Sequence, residues 1–158
     1  MILEYEGRRY ENATVESLLD AGIPPEVVAA AELAEAQRSA FSRIDAEATT
    51  ARARHVTVIP GQELTYQRKA DQAREYLALV PDARGAATFP LLIGEAAALG
   101  VDPAVHAGLI LGRDAGWAMT EAAIEVARVS GKAAVRAAGD VESVLAARDA
   151  AVAALAAA

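Results

Sequence analysis

The sequence contains no cysteine, which removes disulfides, a thiol nucleophile and thiolate metal ligands from consideration. Aromatic residues are scarce as well, with four tyrosines, two phenylalanines and one tryptophan. No charge-free apolar run approaches the ~18 residues a membrane helix requires, so no membrane partner is expected. The terminal AAVAALAAA is too short and too weakly hydrophobic to be one. The opening MILEYEGRRYE lacks the basic-then-apolar order of a secretion signal, and synthesis in the cytoplasm is the expectation. Basic residues are outnumbered, 15 against 22, for a net charge of −7 and a pI near 4.8. Residues 1–36 carry a net −6, residues 37–84 a net +2 with interleaved signs, and residues 85–158 a net −3. Binding to phosphate backbones requires a segregated cationic surface, so nucleic acid is not an expected partner.

Alanine is abundant instead, at 41 of the 158 residues. It is the best helix former, because it loses no side-chain entropy and buries no polar group. It is also a poor core filler, since burial contributes roughly 25 cal/mol per Å² and a methyl group offers little area. The seven aromatics are therefore expected to anchor the core, and the thin remainder suits close helix packing or self-association.

β structure is expected only at the start, where residues 2–5 and 9–11 flank the turn Glu6-Gly7-Arg8, with Tyr5 opposite Tyr10. A lone hairpin is marginal in water, so it must pack on a helix or join another chain. Thr14 is a suitable N-cap for a short helix ending at Gly22. Pro25 then opens a long helix to about His55, whose stripe recurs at Val27, Ala34, Phe41, Ala48 and His55, with Ile44 and Ala51 beside it. Val56–Ile59 and Pro60-Gly61 end it, and the corner predicts an antiparallel return. The next helix spans about Gln62–Leu79, with Tyr66, Ala70, Ala73 and Leu77 on its core face and Glu63 in its first turn, where a carboxylate suits the helix dipole. After a loop at 81–85, Thr88 is the expected cap of a helix from Pro90 to Leu99. Asp102-Pro103 starts another helix, with Ile110, Trp117 and Ile124 at sevenfold spacing. Gly112 and Gly116, one turn apart inside it, favour a close helix crossing over a kink. Gly131 and Gly139 are candidate breaks, and Asp140 begins a final alanine-rich helix.

Few residues suggest chemistry. His55 and His106 lie near apolar stripes with no histidine or carboxylate three or four positions onward, so both are expected in a core or interface. Glu121 and Glu125 share a helix face with Arg128, but a bundle di-metal site would add a Glu-x-x-His pair that the chain lacks. Salt bridging is the expected role, as for Glu32 and Glu35. The serines at 17, 39, 42, 130 and 143 have no G-x-S-x-G or S-x-x-K context, and no phosphate-binding glycine motif is present. Catalytic residues, metal ligands and cofactor-binding residues are expected to be absent, and Tyr5, Tyr10, Phe41, Tyr66 and Trp117 remain as structural or interface candidates.

An ordered set of short patterns runs through the chain. It comprises Arg52 and Arg54 at a helix end, Pro60–Lys69, and then Thr88, Pro90, Leu91, Leu92, Glu95 and Ala96. Ala107, Ile110, Leu111 and Trp117 follow, and Ile124, Glu125 and Arg128 close it. The arrangement resembles small helical proteins of tailed bacteriophages and prophages, encoded near tail-fibre genes. It covers roughly Ala36 to Ala138, and Pro60–Lys69 is its most specific part. The resemblance implies a tail-associated structural or fibre-assembly role, and it names no catalytic residue.

The expected fold is all-α, an antiparallel helical bundle with long helices and a small N-terminal β-hairpin. Its expected parts are a hairpin and short helix at 1–22, a bundle at 23–138 and a C-terminal helix at 139–158. The expected function is non-enzymatic contact, with a tail-fibre protein, a second copy of the chain, or both. The expected location is the host cytoplasm during synthesis and then possible incorporation into the virion tail. A cytosolic adaptor unrelated to phage is one alternative. A small enzyme whose site joins Tyr66, His106 and Glu125 from different subunits is the other.

Overall fold

The computed structural model describes residues 1–55 and 62–158. Among them the chain is helical apart from one antiparallel hairpin, in agreement with the expected all-α class. The elements are β1 (Leu3–Tyr5), β2 (Arg8–Tyr10), α1 (Val15–Asp20), α2 (Pro25–His55), α3 (Gln62–Ala78), α4 (Pro90–Leu99), α5 (Pro103–Ala137) and α6 (Val141–Ala157). A 3-10 turn, Pro81–Ala83, lies within the loop after α3. The run Val56–Ile59, the Pro60-Gly61 corner with its inferred return, and the role of the Glu63 side chain lie outside what is described. The chain forms two compact units, one from Met1–Arg52 with Ala123–Ala158, the other from Ala53–Ala122.

In the first unit the hairpin closes through two residues. Glu6 and Gly7 both have positive φ, 48° and 76°, the primed turn that matches strand twist. This shortens the expected turn by one residue and corrects the register. Tyr5 faces Arg8 and Tyr10 faces Leu3, so the two tyrosines are not opposite each other. The hairpin packs on a helix, as Leu3, Tyr5 and Tyr10 cover the buried Leu18, Ile23 and Val28. α1 starts with a capping box. Thr14 Oγ1 accepts from the Ser17 amide at 3.2 Å, and Ser17 Oγ accepts from the Thr14 amide at 3.0 Å.

The main core of this unit joins α2, the last part of α5 and α6 around Ala40, Ile44, Ala48, Ala51, Ile124, Val135, Val144, Ala151 and Leu155. The buried stripe of α2 is thus 40-44-48-51. The expected line through Ala34 and His55 is corrected, because both are exposed and Phe41 is only half-buried. On an alanine-rich helix hydrophobic contrast between faces is small, so several stripes compete. α2 and α5 run antiparallel, with Gln37 Nε2 donating to the Val135 carbonyl at 3.2 Å and Arg52 bonding Glu125 at 2.9 Å. Gly131 does not break α5. It is buried, and a Cβ there would overlap the methyl of Ala151, with Ile44 Cδ1 at 3.6 Å. The close helix crossing expected at Gly112 and Gly116 belongs to Gly131 instead, since a Cβ at either of the former would meet nothing within 4 Å. α6 begins at Asp140, whose Oδ1 accepts from the Ser143 amide at 2.7 Å.

The second unit packs α3, α4 and the first part of α5 around Ala73, Tyr76, Phe89, Leu92 and Ala107. Tyr76 and Phe89 meet edge to face at 5.5 Å, a favoured aromatic geometry. These are the two aromatics that are buried; the expectation that all seven anchor the core is corrected. The core face of α3 is Ala70-Ala73-Tyr76, whereas Tyr66 and Leu77 are each 40% exposed. Thr88 is not the cap of α4. The N-cap position is Phe89, which has no side-chain bond, and Gln72 Oε1 of α3 accepts from the amides of Leu91 and Leu92 at 3.0 and 3.1 Å. Gly100, at φ 67° in the left-handed region, closes α4. Asp102 Oδ1 accepts from the Ala104 and Val105 amides and starts α5.

Gly131→Ala is expected to lower stability by about 1–3 kcal/mol through overpacking, whereas Gly112→Ala raises it by up to about 1 kcal/mol through helix propensity. Urea midpoints compare the two. The double variant Gly131→Ala/Ala151→Gly should lose less than the sum of its parts, and equal responses at the two glycines would contradict the packing. Gln72→Ala should cost about 1 kcal/mol by leaving two amides of α4 without their acceptor, measured in the same way.

Candidate functional site

Two groups of polar side chains tie the helices, one in each unit. In the first unit the alanine faces of α2 and α5 are bordered by a ladder of five charges. Arg52 bonds Glu125 at 2.9 Å, Glu125 takes two bonds from Arg128 at 2.7 and 3.0 Å, Arg128 reaches Asp45 at 3.1 Å, and Lys132 reaches Asp45 at 2.6 Å. The spacing follows from the helices: Arg128 and Lys132 are one turn apart on α5, and both face the single carboxylate of Asp45 on α2. Lys132 and Arg136 also lie over the Phe41 ring at 5.5 and 5.2 Å, so this half-buried aromatic is covered by cations.

The electrostatics follow from these contacts. The Arg128 guanidinium holds the Glu125 carboxyl down to about 2, burial opposing and Arg52 assisting. Asp45 is lowered by its bond to Lys132, again against burial, with Arg128 adding to the effect. Arg128 is pushed further above its ordinary value, first by Glu125 and then by Asp45. The expected salt-bridging role of Glu125 agrees with this geometry, although the bridges cross between helices as well as running along one. Glu35 bonds Arg38 within α2 at 2.6 Å.

In the second unit Glu95 of α4 stands between Lys69 of α3, whose ammonium bonds its Oε1, and His106 of α5, whose Nε2 lies 3.3 Å from Oε2. His106 is buried at 7% exposure. Burial pushes the Glu95 carboxyl up, but the bonds and charges of Lys69 and His106 outweigh it and leave it lowered. One carboxylate thus links three helices. Arg74 of α3 bonds both Asp71 and Asp114, the latter on α5. Comparison with protein-family models, curated proteins and solved structures finds no match.

Of the residues singled out from the sequence, Tyr5 and Tyr10 pack half-buried on the hairpin's cluster, and Tyr66 is partly exposed with Lys69 5.7 Å from its ring centre. Trp117 is half-buried with the exposed His55 6.3 Å away. The partners Asp45, Lys132, Lys69 and Glu95 were not singled out as a group, because their pairing spans up to 87 residues of sequence and no local spacing encodes it. Among the described residues no group of three or more histidines and carboxylates converges as a metal site would. A shallow groove of about 370 Å³ lies among Ala29, Ala30, Leu33, Gly139 and Val141. Of its two carboxylates, Glu32 and Asp140, the latter caps α6.

What the polar groups do is hold helices in register. Because the folded value of Glu125 is depressed, its contribution is complete above the ordinary carboxylate value of 4.5 and is lost as pH falls toward about 2. Glu125→Gln should therefore be less stable than the parent at pH 7, with the gap closing between pH 4.5 and about 2. Thermal melts across that range read the gap, and a constant difference at every pH would contradict the ladder's role.

Proposed function

We propose that this chain is a non-enzymatic protein of the tail region of tailed bacteriophages, acting by protein–protein contact as a tail component or as a fibre-assembly factor. The observation that carries the reading is the use made of the charged residues in the resembling pattern. Arg52 and Arg128 both bond Glu125, and Lys69 bonds Glu95. Charges paired across helices in this way hold the helices together, which is what a contact scaffold requires of them. Tyr66, His106 and Glu125, the residues of the enzyme alternative, fit the same description in part, since His106 and Glu125 are both engaged within their own units.

Synthesis would take place in the host cytoplasm, and among the described residues no helix is long and apolar enough to cross a membrane. Mass spectrometry of purified particles, set beside co-purification with the fibre protein from infected cells, tests the proposal. Stoichiometric presence in particles is expected of a tail component. Absence from particles with retention on the fibre protein is expected of an assembly factor, and absence from both overturns the reading.

A further inference from the structure

The second unit leaves one face of α5 bare. Val105, Leu109, Gly112, Gly116 and Met119 follow one another at spacings of four and three, so they form a single line along the helix. All five are exposed, and the three large ones strongly so, at 59% for Val105, 54% for Leu109 and 76% for Met119. Gly108 and Ala115, beside this line, are exposed too. The unit's core is met by the opposite side of the helix, through the buried His106 and Ala107. No aspartate, glutamate, lysine or arginine lies on the bare line. Arg113 borders it, and Asp114 is turned to Arg74.

We infer that this face is where a second copy of the chain docks, α5 against α5. It deepens the contact reading above and rests on it only in taking contact to be the chain's work. Three observations select the occupant. The four-three spacing is that by which a helix pairs with another helix of the same spacing, and a second copy presents that spacing by definition. The line sets a hollow between bulky ends, Gly112 and Gly116 lying between Leu109 and Met119 with nothing within 4 Å of a Cβ built at either glycine. In an antiparallel pair, Leu109 of one copy therefore seats over the glycines of the other. The charge distribution permits the meeting, because residues 53–122 carry 6 basic and 8 acidic side chains, a net of only −2, and none of them is on the line.

The area sets the strength. The line is about 21 Å long, and covering it removes on the order of 400 Å² per copy, about half of what a standard interface buries. The dimer is consequently a weak and reversible one, populated at high concentration.

Sedimentation equilibrium of the full chain, from about 1 µM to about 500 µM, tests this. The weight-average mass should rise from 16.4 kDa toward twice that value. Leu109→Glu and Met119→Glu, made singly, should each weaken association at least ~10-fold with unchanged circular dichroism and melting temperature, since both side chains are outside the core. A mass fixed at 16.4 kDa throughout assigns the face to a different protein and overturns the inference. Association that survives both substitutions places the contact elsewhere and overturns it equally. The measurement needs neither particles nor fibre protein, so its failure leaves the tail assignment standing, and failure of that assignment leaves the dimer standing.

Discussion

Close approach of α5 to α6 at Gly131 is the constraint on which the terminal unit depends. Its core sets Ala40, Ala48, Ala51 and Ala151 among five larger aliphatic residues, Ile44, Ile124, Val135, Val144 and Leu155, and methyl groups reach their neighbours only when helix axes are near. Any side chain at residue 131 would hold the helices apart, and the alanines around it would lose the contacts that make a small apolar group worth burying. The glycine thus costs helix propensity locally and makes the rest of the interior possible.

Alanine faces bring a second difficulty, because one methyl looks much like the next and a helix can slide along them with little change in packing. The charged ladder supplies the missing register. Arg52, Asp45 and Gln37 on α2 meet Glu125, Arg128 with Lys132, and the Val135 carbonyl in descending order. Singly such exposed pairs contribute little, but together they distinguish one alignment from its neighbours by a full turn. The middle unit solves the same problem with shape, through Tyr76 and Phe89, and with the reach of Gln72 onto the first amides of α4.

Element boundaries were legible in the sequence wherever a residue acts on its own backbone. Pro25, Asp102-Pro103, Gly100 and Asp140 each begin or end a helix as expected, and Thr14 caps as expected. Faces were legible only in part. Ile44, Ala48 and Ala51 of the expected α2 stripe and Ala70 and Ala73 of the expected α3 face are buried. Ala40, however, takes the buried place that the sevenfold line gave to its neighbour Phe41, and Tyr66, Leu77, Ala34 and His55 are exposed. The cap of α4 was not legible, since its acceptor comes from another helix. Gly112, Gly116 and Gly131 are identical as residues and differ only in what stands opposite them. The hairpin shows the same limit on a smaller scale, where one residue more or less in the turn reassigns each cross-strand pair.

The terminal unit is assembled from the two ends of the chain, with the middle unit inserted between its halves. On a ribosome the middle unit has all its parts as soon as its own residues emerge. α2, by contrast, must wait for α5 and α6, which arrive roughly 70 to 100 residues later, several seconds at ordinary elongation rates of about 5–20 residues per second. During that interval Ile44 and its alanines have no partner, and the nascent helix presents the kind of transient apolar surface that chaperones hold. Long-range pairing of this sort slows folding through the entropy of closing the loop. The order of synthesis, rather than the depth of the core, therefore sets when this protein becomes safe from aggregation.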